Sequence, residues 1–325
     1  MNKQIDKLLS KATSVALVAH INPDGDAYGS LSASYKYIKS KFGCEVDCFA
    51  ETNNIADEFA NIVKEINFNV EPRNNYSVCI VLDSADKTRL GKFVSVFDSS
   101  ETTICIDHHI TNIGYADINI IREISSNCEL IYHLLKDNKF KFDKEIMSRL
   151  YVGMLTDTNN FTTSLVNENT YLALADFARV GVNITELYKL FYSNSLVQFK
   201  LLAFAMNSVQ MYNDNTIMVM QITKSQMNKV GATKEDLNGI INQAFNIRKC
   251  LSALLITPRD DKMHCSLRCK QGIDVSSVAT VYGGGGHKEA SAFKVDKFTK
   301  NMLNDIIASL TLQISKLPTD NKQWF

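Results

Sequence analysis

The chain has 325 residues, 45% of them hydrophobic and 22% charged, with 35 Lys+Arg against 35 Asp+Glu. This is enough for two domains with their own cores, in the composition of an ordinary globular protein, and no apolar run approaches the ~20 residues that cross a bilayer. Residues 201–325 hold 15 Lys+Arg against 10 Asp+Glu, and residues 1–200 hold 20 against 25. Neither half is basic enough to grip long duplex nucleic acid, but an acidic front suits cations and a basic rear suits phosphates.

Residues 1–12 read as a short amphipathic helix without the apolar core of a signal peptide, so a cytoplasmic location is expected. Residues 14–19 form an apolar strand that runs into His20-Ile21-Asn22-Pro23-Asp24-Gly25-Asp26, read as a loop in which Gly25 lets the backbone bend between two carboxylates. A helix follows from Ser30 to about Lys41, then a strand over 44–50 and a helix over 56–66. Residues 77–82 are a buried strand ending in Asp83. Residues 102–106 are another, ending in Asp107-His108-His109. Three strand ends thus carry metal-type side chains. With crossover helices between them the strands are parallel, and their C-terminal ends share one edge.

Ser125-Ser126-Asn127-Cys128-Glu129 resembles a capping box that opens a helix to about Leu135; His133 within it reads as a packed or surface histidine. A helix over 143–156 runs into Asp157, which in the company of the other clusters is taken as a fourth contribution. Residues 168–180 and 184–200 read as helices, the second linking two domains. Beyond 205 come a strand at 216–222, a helix at 234–247, and two strands, 250–256 and 263–268, paired through an Asp260-Asp261-Lys262 turn. Asp274 caps a short helix to Val281. Gly283-Gly284-Gly285-Gly286-His287, a last strand and a helix from about 298 complete the chain.

Carboxylates mixed with imidazoles and free of thiolates suit Mn²⁺, with Mg²⁺ or another divalent ion as alternatives. His20, Asp24, Asp26, Asp83, His108 and Asp157 can hold two such ions if one carboxylate bridges. A paired site of this kind activates water for in-line displacement at phosphorus. No G-x-S-x-G elbow is present, which argues against a covalent acyl mechanism. The eight cysteines read as reduced thiols, and the four-residue spacings Cys44/Cys48 and Cys265/Cys269 suit structural zinc poorly. The glycine run can be a flexible turn or a cradle whose N–H groups approach an anion. His287 beside it can bond a phosphate or stack on a base. Arg268 and Lys270, at the end of a nearby strand, favour the phosphate reading.

His20-x-x-Pro-Asp24-Gly-Asp26-Ala-x-Gly29-Ser30, Asp83, Asp107-His108-His109, Asp157 and the late Gly-Gly-Gly-His, in that order over nearly the whole chain, resemble the DHH phosphoesterase superfamily. The length and the late motif are similar to its nanoRNase/pAp phosphatases of the NrnA type rather than to full RecJ exonucleases. The resemblance implies an α/β fold: a parallel-sheet DHH metal-binding catalytic domain (1–185), a helical linker (186–204), and a smaller α/β DHH-associated nucleotide- or RNA-binding domain (205–325).

It further implies that His20, Asp24 and Asp83 hold one metal. Asp26, Asp83, His108 and Asp157 hold the other, with Asp83 bridging. His109 faces the scissile phosphate, Asp107 orients the histidines, and Arg268, Lys270 and Gly284, Gly285, Gly286 and His287 hold the substrate's nucleotide and phosphate. The expected activity is hydrolysis of very short oligoribonucleotides and linear dinucleotides to 5′-mononucleotides, and of 3′-phosphoadenosine 5′-phosphate (pAp) to AMP. A homodimer is left open. Two departures, Lys288-Glu289-Ala290-Ser291-Ala292-Phe293 where relatives carry Ala-Ala-Gly and Cys269 where serine is common, bear on substrate preference. The rival readings are a manganese-dependent inorganic pyrophosphatase and a nucleotide- or RNA-binding module with an idle metal site.

Overall fold

The computed structural model describes residues 3–52, 55–259, 261–270 and 272–317, the side chain of His287 excepted. The chain divides into two compact units, 1–193 and 194–325. In the first, α1 (Lys3–Leu9), β1 (Ser14–Ala19), α2 (Gly25–Phe42), β2 (Glu45–Phe49), α3 (Asp57–Val63) and β3 (Val78–Leu82) precede a 3-10 segment, Lys87–Phe93. There follow α4 (Val94–Asp98), β4 (Thr103–Asp107), β5 (Ile118–Ile121), α5 (Asn127–Asp137), α6 (Lys144–Asp157), α7 (Glu168–Arg179) and α8 (Ile184–Tyr192).

The five strands are parallel in the order β2-β1-β3-β4-β5. Every residue of β1, β3 and β4 is buried, as expected of strands covered on both faces. Val15, Leu17, Ile80 and Ile104 pack against α2, α5 and α6 on one side. Ala16, Val18, Cys79 and Val81 meet Leu90, Phe93 and Phe97 on the other. The strand order reverses between β1 and β3, the switch point outside which such sheets place their ligands. The residues that follow those two strands are His20 and Asp83.

The second unit contains α9 (Leu196–Asn207), β6 (Gln210–Tyr212), β7 (Ile217–Gln221), α10 (Lys224–Val230), two 3-10 segments (Glu235–Leu237 and Ile240–Asn246), β8 (Ser252–Arg259), β9 (Lys262–Cys269), α11 (Val275–Val281), β10 (Gly285–His287), β11 (Ala290–Val295) and α12 (Lys300–Ser315). Its sheet runs β10-β11-β9-β8-β7-β6, antiparallel except for the pair β7–β8. Alternation along β9 sends Cys265 and Leu267 into a core with residues of α11 and α12. Met218, Met220, Ala253 and Leu255 face α9 and α10 on the opposite side. On that opposite side His264, Ser266, Arg268, Ala290 and Ala292 remain half-buried, so the helical cover thins over β9 and β11.

Several expectations are corrected. The helix expected from Ser30, α2, begins at Gly25, and Asp24 is its N-cap, accepting from the N–H of Asp26 and Ala27. Gly25 is therefore helical. Its lack of a side chain matters for space, since a Cβ there would lie 2.2 Å from Thr156 Oγ1. The expected helix over 184–200 is two helices, broken where Ser193 turns extended and Ser195 starts a new capping box with Gln198. Within residues 186–204, Leu187 and Phe191 pack on the first core, and Leu201 belongs to the second unit. The expected helix over 234–247 is two 3-10 segments parted by Gly239 at φ 77°. Strands β5, β6 and β10 are additions to the expected set. In the expected Asp260-Asp261-Lys262 turn, Asp260 lies outside the described residues. No helix among the described residues is long and apolar enough to cross a membrane, and all eight cysteines are free.

Candidate metal centre

The ends of β1, β3 and β4, the start of α2 and the end of α6 bring seven side chains together. Three sets have ligand atoms within 4.8 Å of one another: His20, Asp24 and Asp83; Asp26, His108 and Asp157; and Asp83, His108 and His109. Asp83 belongs to two of them. Its Oδ2 is 3.7 Å from His20 Nε2 and its Oδ1 is 3.4 Å from His108 Nε2. Asp157 Oδ2 and Asp26 Oδ2 lie 3.6 and 3.8 Å from the same His108 nitrogen.

Backbone groups hold these side chains in place. The N–H of Asn127 and of Cys128, at the start of α5, donate to Asp26 Oδ2 at 2.6 Å and Oδ1 at 2.8 Å, an anion seated on a helix N-terminus. His20 Nδ1 is 2.8 Å from the Ile21 carbonyl, and His108 Nδ1 is 3.0 Å from that of Ile124. The Ile124 carbonyl accepts the His108 Nδ1–H, which turns Nε2 into the cluster as in a metal ligand, while His20 Nδ1 faces both the Ile21 carbonyl and the donor Arg89 Nη2 with its Nε2 likewise turned inward. His109 Nδ1 donates to Asp107 Oδ1 at 2.8 Å, while Asn112 Nδ2 donates to Asp107 Oδ2 at 2.7 Å. The close approach of α5 and α6 needs a glycine: a Cβ on Gly153 would lie 2.2 Å from Cys128 Sγ and 2.7 Å from Asp26 Oδ1.

The electrostatics favour a cation. Asp83 Oδ1 is buried with no hydrogen-bond partner, and Asp83 itself sits in the left-handed region at φ 57°, strain of a kind that collects at functional sites. Burial, reinforced by Asp83 and Asp157, pushes the Asp26 carboxyl well above the usual range. Burial also lifts Asp157 to about 6, with His108 opposing and Asp83 adding. Against the pull of burial, the carboxylates of Asp83, Asp26 and Asp157 raise His108 to about 10. Acids that resist ionising beside an imidazole that holds its proton are carboxylates short of positive charge. The hard oxygen donors, the two inward imidazole nitrogens and the orphaned Asp83 oxygen fit a pair of divalent ions. Asp107 differs: burial raises it, but His109 and Asn112 outweigh that and hold it below the ordinary value.

Sequence reasoning missed four contributors. Asn112 and the two α5 N–H groups act through Asp107 and Asp26. Arg89 places Nη2 3.2 Å from His20 Nδ1. The fourth is Glu129, fully buried. Ser126 Oγ accepts the Glu129 N–H, but the Glu129 carboxylate does not complete a capping box. It accepts instead from Ser125 Oγ and from Thr170 Oγ1, the latter at 3.0 Å, which ties the segment bearing Ile124 and Asn127 to α7. His133 lies 3.5 Å from Glu129 and plays no part in the cluster.

The expected substrate residues lie in the second unit. Arg268 stands on β9 with Nη1 donating to the Leu267 carbonyl at 3.0 Å, and Lys270 is exposed just past the strand. The glycine run does more structural service than expected. Gly283 and Gly284 donate to the Thr280 and Ala279 carbonyls and close α11, so the Gly284 N–H is not free for an anion. A Cβ on Gly284 would lie 2.2 Å from the Ala292 carbonyl and one on Gly286 2.5 Å from that of Ala290, whereas Gly285 faces open space. His287 ends β10, and its side chain lies outside the described residues. Of the two departures, Cys269 is buried, its Sγ donating to the Ile273 carbonyl at 3.2 Å.

Comparison with known proteins gives two family matches: the DHH family N-terminal domain over residues 14–154 and the DHHA1 domain over residues 209–316. The chain is 24% identical to the bifunctional oligoribonuclease and PAP phosphatase NrnA of Bacillus subtilis, over 91% of this chain and 93% of that protein. It is 21% identical to a probable manganese-dependent inorganic pyrophosphatase of Streptococcus mutans, over 74% of this chain and 77% of that one. Among solved structures it is similar to an exopolyphosphatase-related protein from Bacteroides fragilis, with a TM-score of 0.82 at 21% identity over 96% of this chain and 97% of the other.

Proposed function

The chain belongs to the DHH family, with a DHHA1 domain behind the DHH domain, and on that footing we propose that it is a metal-dependent phosphoesterase of the cytoplasm. Its substrates are very short oligoribonucleotides and linear dinucleotides, cleaved to 5′-mononucleotides, and pAp, cleaved to AMP. One observation carries the reading: Asp83, at the switch point, faces both His20 and His108 and buries an oxygen with no partner. The substrate class draws support from the two activities for which the B. subtilis relative is named and from the DHHA1 match.

His20, Asp24 and Asp83 would hold one divalent ion, and Asp26, Asp83, His108 and Asp157 the other. Manganese suits the mixed donor set best. Bound there, the pair supplies an acidified water and offsets the charge on phosphorus. Asp107, kept ionised, fixes His109 through Nδ1 and leaves Nε2 to meet an oxygen of the scissile phosphate, where it offsets charge or passes a proton. Asp26, gripped by the start of α5, keeps its oxygens in register as the cluster changes charge. Arg268 and the open side of Gly285 would take the nucleotide's phosphate.

The test is a substrate panel with purified protein and Mn²⁺: diribonucleotides, pAp, a longer RNA and pyrophosphate. Turnover of diribonucleotide and pAp with slow attack on the longer RNA is expected. The S. mutans relative gives the pyrophosphatase reading its own support, and preferential pyrophosphate hydrolysis would establish it instead. Tight dinucleotide binding without turnover, whichever divalent ion is supplied, would mark an idle site.

A further inference from the structure

One cation stands at the metal centre itself. Arg89 lies in the 3-10 segment Lys87–Phe93 that follows β3, and its Nη2 is 3.2 Å from His20 Nδ1. The turn that carries Arg89 is fastened to the loop that carries His20. The Arg89 carbonyl accepts the Ile21 N–H at 2.8 Å, and the Glu51 carbonyl accepts the Asn22 N–H at 2.8 Å. The Glu51 carboxylate accepts the N–H of Lys92 at 2.8 Å. Gly91 makes the kink before Lys92 at φ 59°, and a Cβ there would collide with that carboxylate. Asp86 caps the segment, its carboxylate accepting the Thr88 N–H at 2.8 Å. The backbone under Arg89 is therefore fixed, and the half-buried guanidinium is held beside His20.

Nothing in the surrounding protein answers its charge. Among the described residues the Arg89 side chain has no carboxylate within ion-pair distance, and its one polar contact is His20 Nδ1. A His20 that gives Nε2 to a cation keeps its proton on Nδ1 and donates it to the Ile21 carbonyl, so it offers Arg89 no acceptor. A guanidinium and a divalent ion on two sides of one imidazole repel each other. An anion that meets both relieves that repulsion.

We propose that Arg89 is a further catalytic residue, and that it takes the phosphate oxygen by which a monoester differs from a diester. The inference rests on the proposed function and assigns a residue to one of its two substrate classes. pAp and the dinucleotide pApA share a 5′-phosphoadenosine and share the bond that breaks, P–O3′. In both, the oxygen of water bonds to phosphorus as that bond breaks. O3′ leaves with the bonding electrons and takes up one proton of the water, and the other proton stays with the phosphate product. pAp gives AMP and inorganic phosphate, and pApA gives two AMP. The difference is one oxygen, which carries the second nucleoside in pApA and is free in pAp. The reacting group of pAp is thus a dianion with a third unesterified oxygen. The ligand set and His109 serve oxygens common to both substrates. The nucleotide's own phosphate has its counter-charge in the second unit, where Arg268, with Arg259, Lys262 and Lys294, makes the half-open face of the sheet basic. The extra oxygen of the monoester is left, and a guanidinium without another acceptor is the donor that fits it.

The test compares wild type, R89A and R89K, each loaded with Mn²⁺, on pAp and pApA. Calorimetry follows the binding of Mn²⁺, of inorganic phosphate and of dimethyl phosphate. R89A should lose about 100-fold in kcat/KM on pAp and less than about fivefold on pApA, since only the monoester makes the charge-assisted hydrogen bond in full. R89K, which supplies the charge without the fork, should recover part of the pAp rate. Inorganic phosphate should bind R89A roughly tenfold more weakly than wild type, while dimethyl phosphate binds both alike. Mn²⁺ should bind R89A as tightly as wild type or tighter, because a neighbouring cation is gone. Equal losses on the two substrates would overturn the assignment of that oxygen, and an unchanged pAp rate would overturn the contact. Mn²⁺ binding weakened by about tenfold would mean that Arg89 acts only by supporting His20, and would overturn it as well. A wild type that hydrolyses neither substrate would end the proposed function, and the contrast between phosphate and dimethyl phosphate would then decide Arg89 by itself.

Discussion

The acid cluster of the first unit and the basic face of the second are both concentrations of one charge, yet they are held in opposite ways. In the cluster hydrogen bonds orient the side chains one by one: Asp26 by two N–H groups of α5, His20 and His108 by carbonyls, His109 through the side chains of Asp107 and Asn112. On the basic face the side chains follow only the alternation of strands, remain open to solvent in part and, Lys262 with Asp296 apart, have no carboxylate partner among the described residues. A buried set of like charges at fixed spacing is costly unless counter-charge joins it, whereas cations on an open face keep much of their hydration. The first arrangement suits ions that stay. The second suits an anion that arrives and leaves.

Asp83→Asn should break the first arrangement most completely. The amide removes the one carboxylate that faces both His20 and His108, so activity with Mn²⁺ should fall by ~10³-fold or more, and calorimetry should show loss of tight metal binding. The same variant relieves repulsion among Asp26, Asp83 and Asp157, because Asp83 raises both neighbours. The lost attraction between Asp83 and His108 works the other way, so in EDTA it should melt close to wild type. Melting well below wild type in EDTA would mean that Asp83 serves the fold, and undiminished activity would reject its shared role.

Asp107→Asn comes next. The carboxylate orients His109 without joining the ligand sets, and removing such a support typically costs about 10–100-fold. The fall should appear in kcat with metal affinity nearly intact. A loss of metal affinity as large as that of Asp83→Asn would place Asp107 among the ligands.

These residues are legible for a simple reason. Val78–Leu82 and Thr103–Ile106 are short apolar runs with an acid directly after or within reach, and a parallel sheet gathers such ends at one edge. Asp157 is legible only by association, because an aspartate at the end of a helix is unremarkable by itself. What orients the cluster is not legible: the N–H of Asn127 and Cys128 and the carbonyls of Ile21 and Ile124 are backbone atoms and leave no mark on residue type. Asn112 and Arg89 lie in segments whose course the sheet order decides. The break between α8 and α9 does have a signal, since Ser195-x-x-Gln198 is itself a capping box, but the apolar residues on both sides read through it as one helix. On the basic face, His264 occupies an ordinary alternating position. Only the register that sets it beside Lys294 and near Arg259 distinguishes it.

Arg268→Ala should give an effect similar in size to that of Asp107→Asn and the most different in kind. The guanidinium has one hydrogen bond, to the carbonyl of Leu267, and its substitution leaves no buried acid unpaired. The variant gives up a charge-assisted hydrogen bond to a nucleotide phosphate, worth about 1.5–3 kcal/mol, so KM should rise tenfold or more while kcat stays within about twofold. Arg268→Lys should recover part of that effect, since a lysine supplies the charge without the two-pronged donor geometry. Metal affinity should not move. If Arg268→Ala lowered kcat as severely as Asp83→Asn and left KM alone, the arginine would be acting at the reacting phosphate, and the division between a centre that holds ions and a face that holds substrate would fail.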